Sequence, residues 1–431
     1  MTSTIFWFRN DLRLTDQPAL QQAIKTSTTL LPVFCHDPVA DTETAWGFAR
    51  MGAHRRKFLR AALDDLTAQL RALGSELIEL QGEPSQALAT LAQTIGATRI
   101  VCETIAAPEE QTQVAELRKQ GLTVQTIWQS SLLDPADLPF AVERLPDMFT
   151  AFRHAVEKAD VMPPQPLAAI TAMPLLPALA GVVSNPTLAT TTTEAAADSR
   201  SSFPYWQPTF DGGAAAALAH LDRYLAKKLA HTYKETRNGL TGTDYSTKFS
   251  PWLATGALSA RSVYQKLKQF EAEFGANDSS YWIWFELLWR DHFRFLQLKY
   301  GRRLYRGRGL ADPSTPAPKH HAAMFKRWID GRTGEAIVDA GMRELAHTGY
   351  LSNRLRQIVA SYLVHDLGGD WRAGAAWFES QLLDYDVSSN QGNWLYLAGR
   401  GTDPRGGRRF DPRKQTLTYD ADGKYRKMWS A

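Results

Sequence analysis

The chain has 431 residues, 44% hydrophobic and 22% charged, with two cysteines and a formal net charge of +4. At about 100–200 residues per domain this length makes two or three domains, and the composition excludes wholesale disorder, a collagen-like repeat and a disulfide scaffold. No apolar run spans a bilayer, charged Arg9, Asp11 and Arg13 leave no signal peptide, and Cys35 and Cys102 have no partner at metal or redox spacing, so a reducing, cytoplasmic location is expected.

The first third alternates short apolar runs with amphipathic stretches. Residues 5–8, 29–34, 76–80, 99–102 and 123–127 read as strands bounded by turn signals. Residues 54–73 place Phe58, Leu59, Leu63, Leu66 and Leu70 on one helical face, and residues 109–120 form another helix. Such alternation predicts a doubly wound, parallel, Rossmann-like α/β domain over 1–130, with any ligand at the carboxyl ends of the strands. Neither a G-x-G-x-x-G after a strand nor a Walker loop is present. Residues 131–204, rich in Pro, Ala, Thr and Ser towards their end, read as an interdomain linker.

Beyond the linker, strand signals fade. Residues 214–229, 260–274, 281–300, 351–367 and 371–383 read as helices, which makes 205–431 an all-α domain. Charge divides the same way. Residues 1–200 carry 16 Lys+Arg against 22 Asp+Glu, residues 201–431 carry 33 against 23, and ten of the 13 tryptophans lie in the second part. Cations suit phosphates and aromatic faces suit unstacked bases, so the pattern fits a nucleic-acid partner; a helical core with a solvated basic surface fits it too.

Several clusters in this half are equipped for chemistry. Tyr245-Ser246-Thr247-Lys248-Phe249-Ser250 supplies hydroxyls, amides and a cation ahead of a helix start at Pro251, a phosphate cradle or a simple helix cap. Glu286, Trp289, Arg290 and Phe293 share one helical face, where they can grip a heterocycle or form an ordinary Glu–Arg pair beside core aromatics. Asn353, Arg356 and Gln357 share another face, and their amides suit the edge of a base or a flavin. Asp384 and Asp386 follow a helix at a spacing that lacks the glycine and terminal glutamate of a calcium loop. No metal-spaced histidine cluster emerges, and adjacent His320 and His321 make poor co-ligands.

Taken together, these segments and Phe6-Trp7-Phe8-Arg9-Asn10-Asp11-Leu12-Arg13-Leu14, Thr232-Tyr233-Lys234-Glu235-Thr236-Arg237-Asn238-Gly239 and Trp252-Leu253-Ala254-Thr255-Gly256 resemble the photolyase/cryptochrome family over almost the whole chain, most closely its DASH branch. The resemblance implies FAD in the helical domain, held by Tyr233, Ser246, Thr247, Lys248, Phe249, Ser250, Arg290, Asn353, Arg356, Asp384 and Asp386, with Asn390 facing the flavin. It implies light-driven repair of cyclobutane pyrimidine dimers in single-stranded or distorted DNA, or alternatively a blue-light photoreceptor that binds nucleic acid without repairing it. RNA is a further possible partner, and a monomer is expected.

Glu286, Trp289, Asn353, Gln357 and Tyr396 would contact the lesion, and Arg294, Arg400, Arg405 and Lys414 the phosphates. Trp394 and Trp371 match the inner members of the family's electron-transfer chain. The outer tryptophan position is Pro318, which implies a detour through Trp328 or a tyrosine. The sheet domain would carry a methenyltetrahydrofolate antenna near Glu109 and Glu110.

Overall fold

A computed structural model describes residues 3–186 and 195–430, so residues 187–194 of the expected linker lie outside the described residues. Strands β1 (Ser3–Phe8), β2 (Thr29–His36), β3 (Ile78–Gln81), β4 (Arg99–Glu103) and β5 (Thr123–Ile127) form one parallel sheet in the order β3-β2-β1-β4-β5. The continuous apolar run of β1 follows from its central place. Ile5 and Trp7 enter the core beneath α3 (Pro84–Thr94) and α4 (Pro108–Lys119), while Phe6 and Phe8 enter the core beneath α1 (Pro18–Thr26) and α2 (Ala53–Ala72). Order reverses between β1 and its neighbours β2 and β4, which opens a crevice at the carboxyl end of the sheet.

The segment after β5 packs against both halves. α5 (Phe149–Lys158) buries Phe149 and Phe152 against the long helix of the second half. Residues 167–185 run back along the sheet domain, bonding Leu14, Leu30 and Glu79 through backbone amides and carbonyls.

The second half is helical: α6 (Ala214–Ala226), α7 (Tyr233–Thr236), α8 (Ser250–Thr255), α9 (Ala260–Phe274), α10 (Asp278–Tyr300), α11 (Ala322–Ile329), α12 (Ala336–Thr348), α13 (Asn353–Ser361), α14 (Trp371–Gln381), α15 (Val387–Leu397), α16 (Pro412–Tyr419) and α17 (Lys424–Met428). A capping box at Asn277 and Ser280 starts α10. The helix expected over 351–367 ends its regular α geometry at Ser361 and continues as one π turn, Tyr362–Asp366.

The Phe6–Leu14 motif forms the seam between the halves. Leu12 N–H donates to Thr255 O at 3.1 Å, and the Arg13 guanidinium donates to Gly256 O at 2.9 Å. Asp16 pairs with Arg261 at 2.9 Å and accepts a short hydrogen bond from Ser259. Gly256 has a φ of +74°, and a Cβ there would overlap the Asn10 carbonyl, so this close approach requires glycine.

Asp11 lies fully buried in this seam, bonded to Arg9 N–H, Gln17 and Gln129. Burial and the neighbouring Glu103 carboxylate push its pKa up to about 7. A carboxyl raised on folding binds more protons in the native state, so this group's contribution to stability is fully present below its ordinary pKa of 3.8 and is lost as pH rises through about 7. Asp11→Asn is therefore expected to flatten the decline in melting temperature between pH 5 and 8, measured by calorimetry across that range.

Candidate functional site

A cavity of about 440 Å³ opens into the helical half between α10, the 245–250 segment and α13. It joins a second chamber of about 140 Å³ towards α15, since Asn353, Arg356, Gln357, Asp384, Asn393 and Tyr396 line both. Glu286, Trp289, Arg290 and Phe293 all face the larger chamber, so the i, i+3, i+4, i+7 face of α10 is its wall. Asp386, Asn390 and Trp394 lie in the smaller one. Tyr233 and residues 246–250 complete the larger. All of the expected flavin and lesion residues reach the cavity walls, whereas Trp371, expected in the electron-transfer chain, does not.

Paired charges make this polar interior sustainable. Arg356 donates to the buried Asp384 carboxylate at 2.8 Å. Burial opposes the charge on Arg356, but Asp384 outweighs it and raises the guanidinium pKa. Burial alone would also raise the Asp386 carboxyl; Arg294, paired at 2.5 Å, and Arg290 instead hold it well below the ordinary carboxylate range. Asp386 also caps α15 by accepting from Ser389 N–H at 2.8 Å. Asn390 donates to Ala375 O at 3.0 Å, which fixes the plane of its amide.

Three side chains behave differently from their sequence expectation. Lys248 is 1% exposed and has a φ of +58°. Its amine sits 3.4 Å from the Tyr245 ring centroid and 4.8 Å from that of Tyr350, and burial drives its pKa well below the usual lysine value. The cation expected in this segment therefore lines the cavity as a buried one, held against aromatic faces. Arg294 is spent on Asp386 and does not face a phosphate-binding surface. Arg290 spans the seam between the halves, donating to Ser130 O at 2.5 Å and Leu253 O at 2.9 Å; burial and the nearby Arg294 lower it to about 10.

At the cavity wall, Glu286 pairs with Arg237 at 2.5 Å. Burial raises the Glu286 carboxyl despite that partner. Trp289 stacks on Phe149 with centroids 3.8 Å apart and meets Tyr396 edge-on at 5.6 Å. Arg408, a cavity residue the sequence did not single out, lies 4.9 Å over the Tyr396 ring and is anchored by Asp403 at 2.9 Å. Arg237 was likewise missed. It lies in the quoted 232–239 motif, yet its partner is 49 positions away and no local spacing reveals it.

Behind the smaller chamber, Trp394 packs so tightly on Gly374 that a Cβ there would overlap its ring. Its centroid lies 5.1 Å from Phe378 and 6.4 Å from Trp328. Trp371 is buried and donates to Gly307 O at 2.9 Å, and Pro318 borders the same glycine.

A separate cavity of about 210 Å³ occupies the crevice at the carboxyl end of the sheet. Arg9, Cys35, Asp37 and Ile105 line it at the strand ends, with Glu109, Glu110 and Gln113 from α4. Arg50 ties Glu109 to Glu379, each at 2.6 Å, and burial raises the Glu110 carboxyl. Among the described residues, no cluster of three or more His, Cys, Asp or Glu could hold a metal, and no helix is long and apolar enough to cross a membrane.

Removing one partner of a buried ion pair strands the other. Asp384→Ala is expected to lower stability by about 3–5 kcal/mol in chemical denaturation, because Arg356 would remain unpaired at the cavity floor.

Comparison with known proteins agrees with this layout. Residues 4–171 match the family model described as DNA photolyase, and residues 282–431 that described as the FAD binding domain of DNA photolyase. Cryptochrome DASH of Xenopus laevis is 44% identical, the match covering 98% of this chain and 81% of that protein. Cryptochrome DASH of Synechocystis is 42% identical, over 99% and 87% respectively. The crystal structure of a Synechocystis cryptochrome superposes with a TM-score of 0.94 at 41% identity, covering all of this chain and 88% of that one. An archaeal photolyase from Sulfolobus tokodaii, solved with two FAD molecules, gives 0.78 at 27%, covering 100% and 90%. By sequence, family model and fold alike, the chain belongs to the photolyase/cryptochrome family.

Proposed function

We propose that the protein repairs cyclobutane pyrimidine dimers in single-stranded or distorted DNA under light, using FAD in the large cavity. The carrying observation is that Glu286, Trp289, Tyr396, Asn353 and Gln357 share one cavity with the Arg356–Asp384 pair, so base-edge donors and cofactor-facing charges meet within one enclosure. The residues present fit the cofactor. Lys248 Nζ and Asp384 Oδ1 are buried at the cavity without a hydrogen-bond partner among the described residues, and segment 246–250 supplies hydroxyls and amides. Bound there, FAD supplies the light-driven one-electron chemistry.

The chain's own side chains do the rest. Trp289 and Tyr396 offer perpendicular aromatic faces to a dinucleotide turned out of its strand, and a lesion or single strand lowers that unstacking cost. The Glu286 carboxyl, held in place by Arg237, can accept from a base edge. Asn353 and Gln357, one helical turn apart on α13, add amide donors and acceptors. In this reading the cavity at the sheet crevice takes a methenyltetrahydrofolate antenna, with Asp37 and Glu110 as acceptors for its amino groups.

The direct test offers reduced, illuminated protein an oligonucleotide carrying one thymine dimer, single- or double-stranded. Thymines are restored faster in the single strand, and Glu286→Ala lowers the rate roughly 10–100-fold with FAD retained, the value of one charge-assisted hydrogen bond. No restoration in either substrate contradicts repair, and equal rates contradict the strand preference.

Trp394, Trp371 and Trp328 form the route that returns electrons to the cofactor, Trp328 being reached from Trp394 across 6.4 Å. Photoreduction of oxidised protein should slow in both Trp371→Phe and Trp328→Phe. Unchanged rates in both exclude the route.

A further inference from the structure

The loop after α10 carries Arg302, Arg303, Arg306 and Arg308, all exposed, and the loop after α15 adds Arg400 and Arg405. Among the described residues, none of these six has a carboxylate within ion-pairing distance: Arg302 bonds only the Thr112 hydroxyl, and Arg303 lies over the Tyr300 ring. Four exposed guanidinium groups within seven residues of one loop, with the exposed Arg405 and the half-buried Arg400 on the adjoining one, form a concentrated positive surface.

The backbone that presents them is fixed at several points. Leu304 is buried and its carbonyl accepts from Gln391 at 2.7 Å. The Trp371 indole donates to Gly307 O at 2.9 Å, and Leu310 N–H donates to Arg400 O at 2.7 Å, which joins the two loops. Gln391 and Leu395 meet this loop, whereas Ser389, Asn393 and Tyr396 face the lesion cavity. At 100° per residue these two sets lie on opposite sides of α15. The 399–409 loop connects them, since it carries Arg408 at the cavity wall and Arg400 beside the arginine loop.

We propose that the 302–308 loop, with Arg400 and Arg405, is a second nucleic-acid surface that binds the sugar-phosphate backbone flanking the segment held in the cavity. This rests on the DNA-repair reading above. Planar guanidinium groups suit phosphate oxygens bidentately and outnumber Tyr305, the exposed aromatic of the 302–308 loop, so the surface is built chiefly to hold backbone. A strand long enough to pass around the 399–409 loop reaches both surfaces, whereas a short one reaches only the cavity.

The test uses the full-length, FAD-loaded chain and undamaged oligothymidylates of about 6 and about 30 nucleotides, with affinity measured against salt. For single strands each phosphate contact contributes roughly 0.7 to the slope of log K on log salt. Arg306→Ala/Arg308→Ala should lower the slope for the long strand by about 1.4 and leave the short strand unchanged. Arg306→Lys/Arg308→Lys, which keeps the charges, should retain most of the slope, and unchanged FAD absorbance in both variants reports an intact fold. An unaltered long-strand slope in the alanine variant overturns the proposal. So does a loss confined to binding of phosphatidylserine vesicles, which would assign the loop to a membrane. Failure of the repair reading has a different signature: length-dependent binding to DNA that is normal, with dimers left intact under light.

Discussion

Everything at this site depends on keeping charges buried without leaving them alone. A cavity deep in a helical domain has low-dielectric walls, where an unpaired ion costs several kcal/mol. The chain meets that constraint by pairing Arg356 with Asp384, Arg294 with Asp386 and Arg237 with Glu286, and by spreading Arg290 across two backbone carbonyls. Each pair joins segments distant in sequence, so the same contacts that neutralise the walls also hold the helices apart around the cavity. Lys248 meets the constraint differently, with its amine against two tyrosine rings.

The seam between the halves obeys the same rule. Asp16 and Arg261, the Arg13 guanidinium on Gly256 O and the buried Asp11 fix the sheet domain against the helical one. One consequence is that the two cavities are neighbours. Tyr385 lines both the smaller chamber and the sheet crevice, between Asp384 and Asp386, which line only the former, and the Arg55 guanidinium covers its ring at 4.4 Å. A ligand in the crevice and one in the helical cavity would therefore share a wall one side chain thick.

The strands were legible because a central parallel strand is apolar on both faces, and all five begin and end within two residues of the expected positions. The cavity faces of α10 and α13 were legible from helical spacing alone, since Glu286, Trp289, Arg290 and Phe293 need no tertiary information to fall on one side. What local pattern could not carry was pairing across the chain. Arg294 looked free for a phosphate because Asp386 is 92 residues on, and the aromatic enclosure of Lys248 was invisible because Tyr350, half of it, belongs to a distant turn. Arg408 carries no motif of its own, and only the return of the 399–409 loop brings it to the cavity.

The central claim is that one enclosure holds both cofactor and lesion. A crystal structure of the FAD-loaded protein with a dimer-bearing single strand tests it most directly. The account predicts the dimer turned into the large cavity, its base edge at Glu286 and its rings against Trp289 and Tyr396. A dimer left stacked in its strand outside the cavity, with the flavin bound and Glu286 still paired only to Arg237, would contradict it.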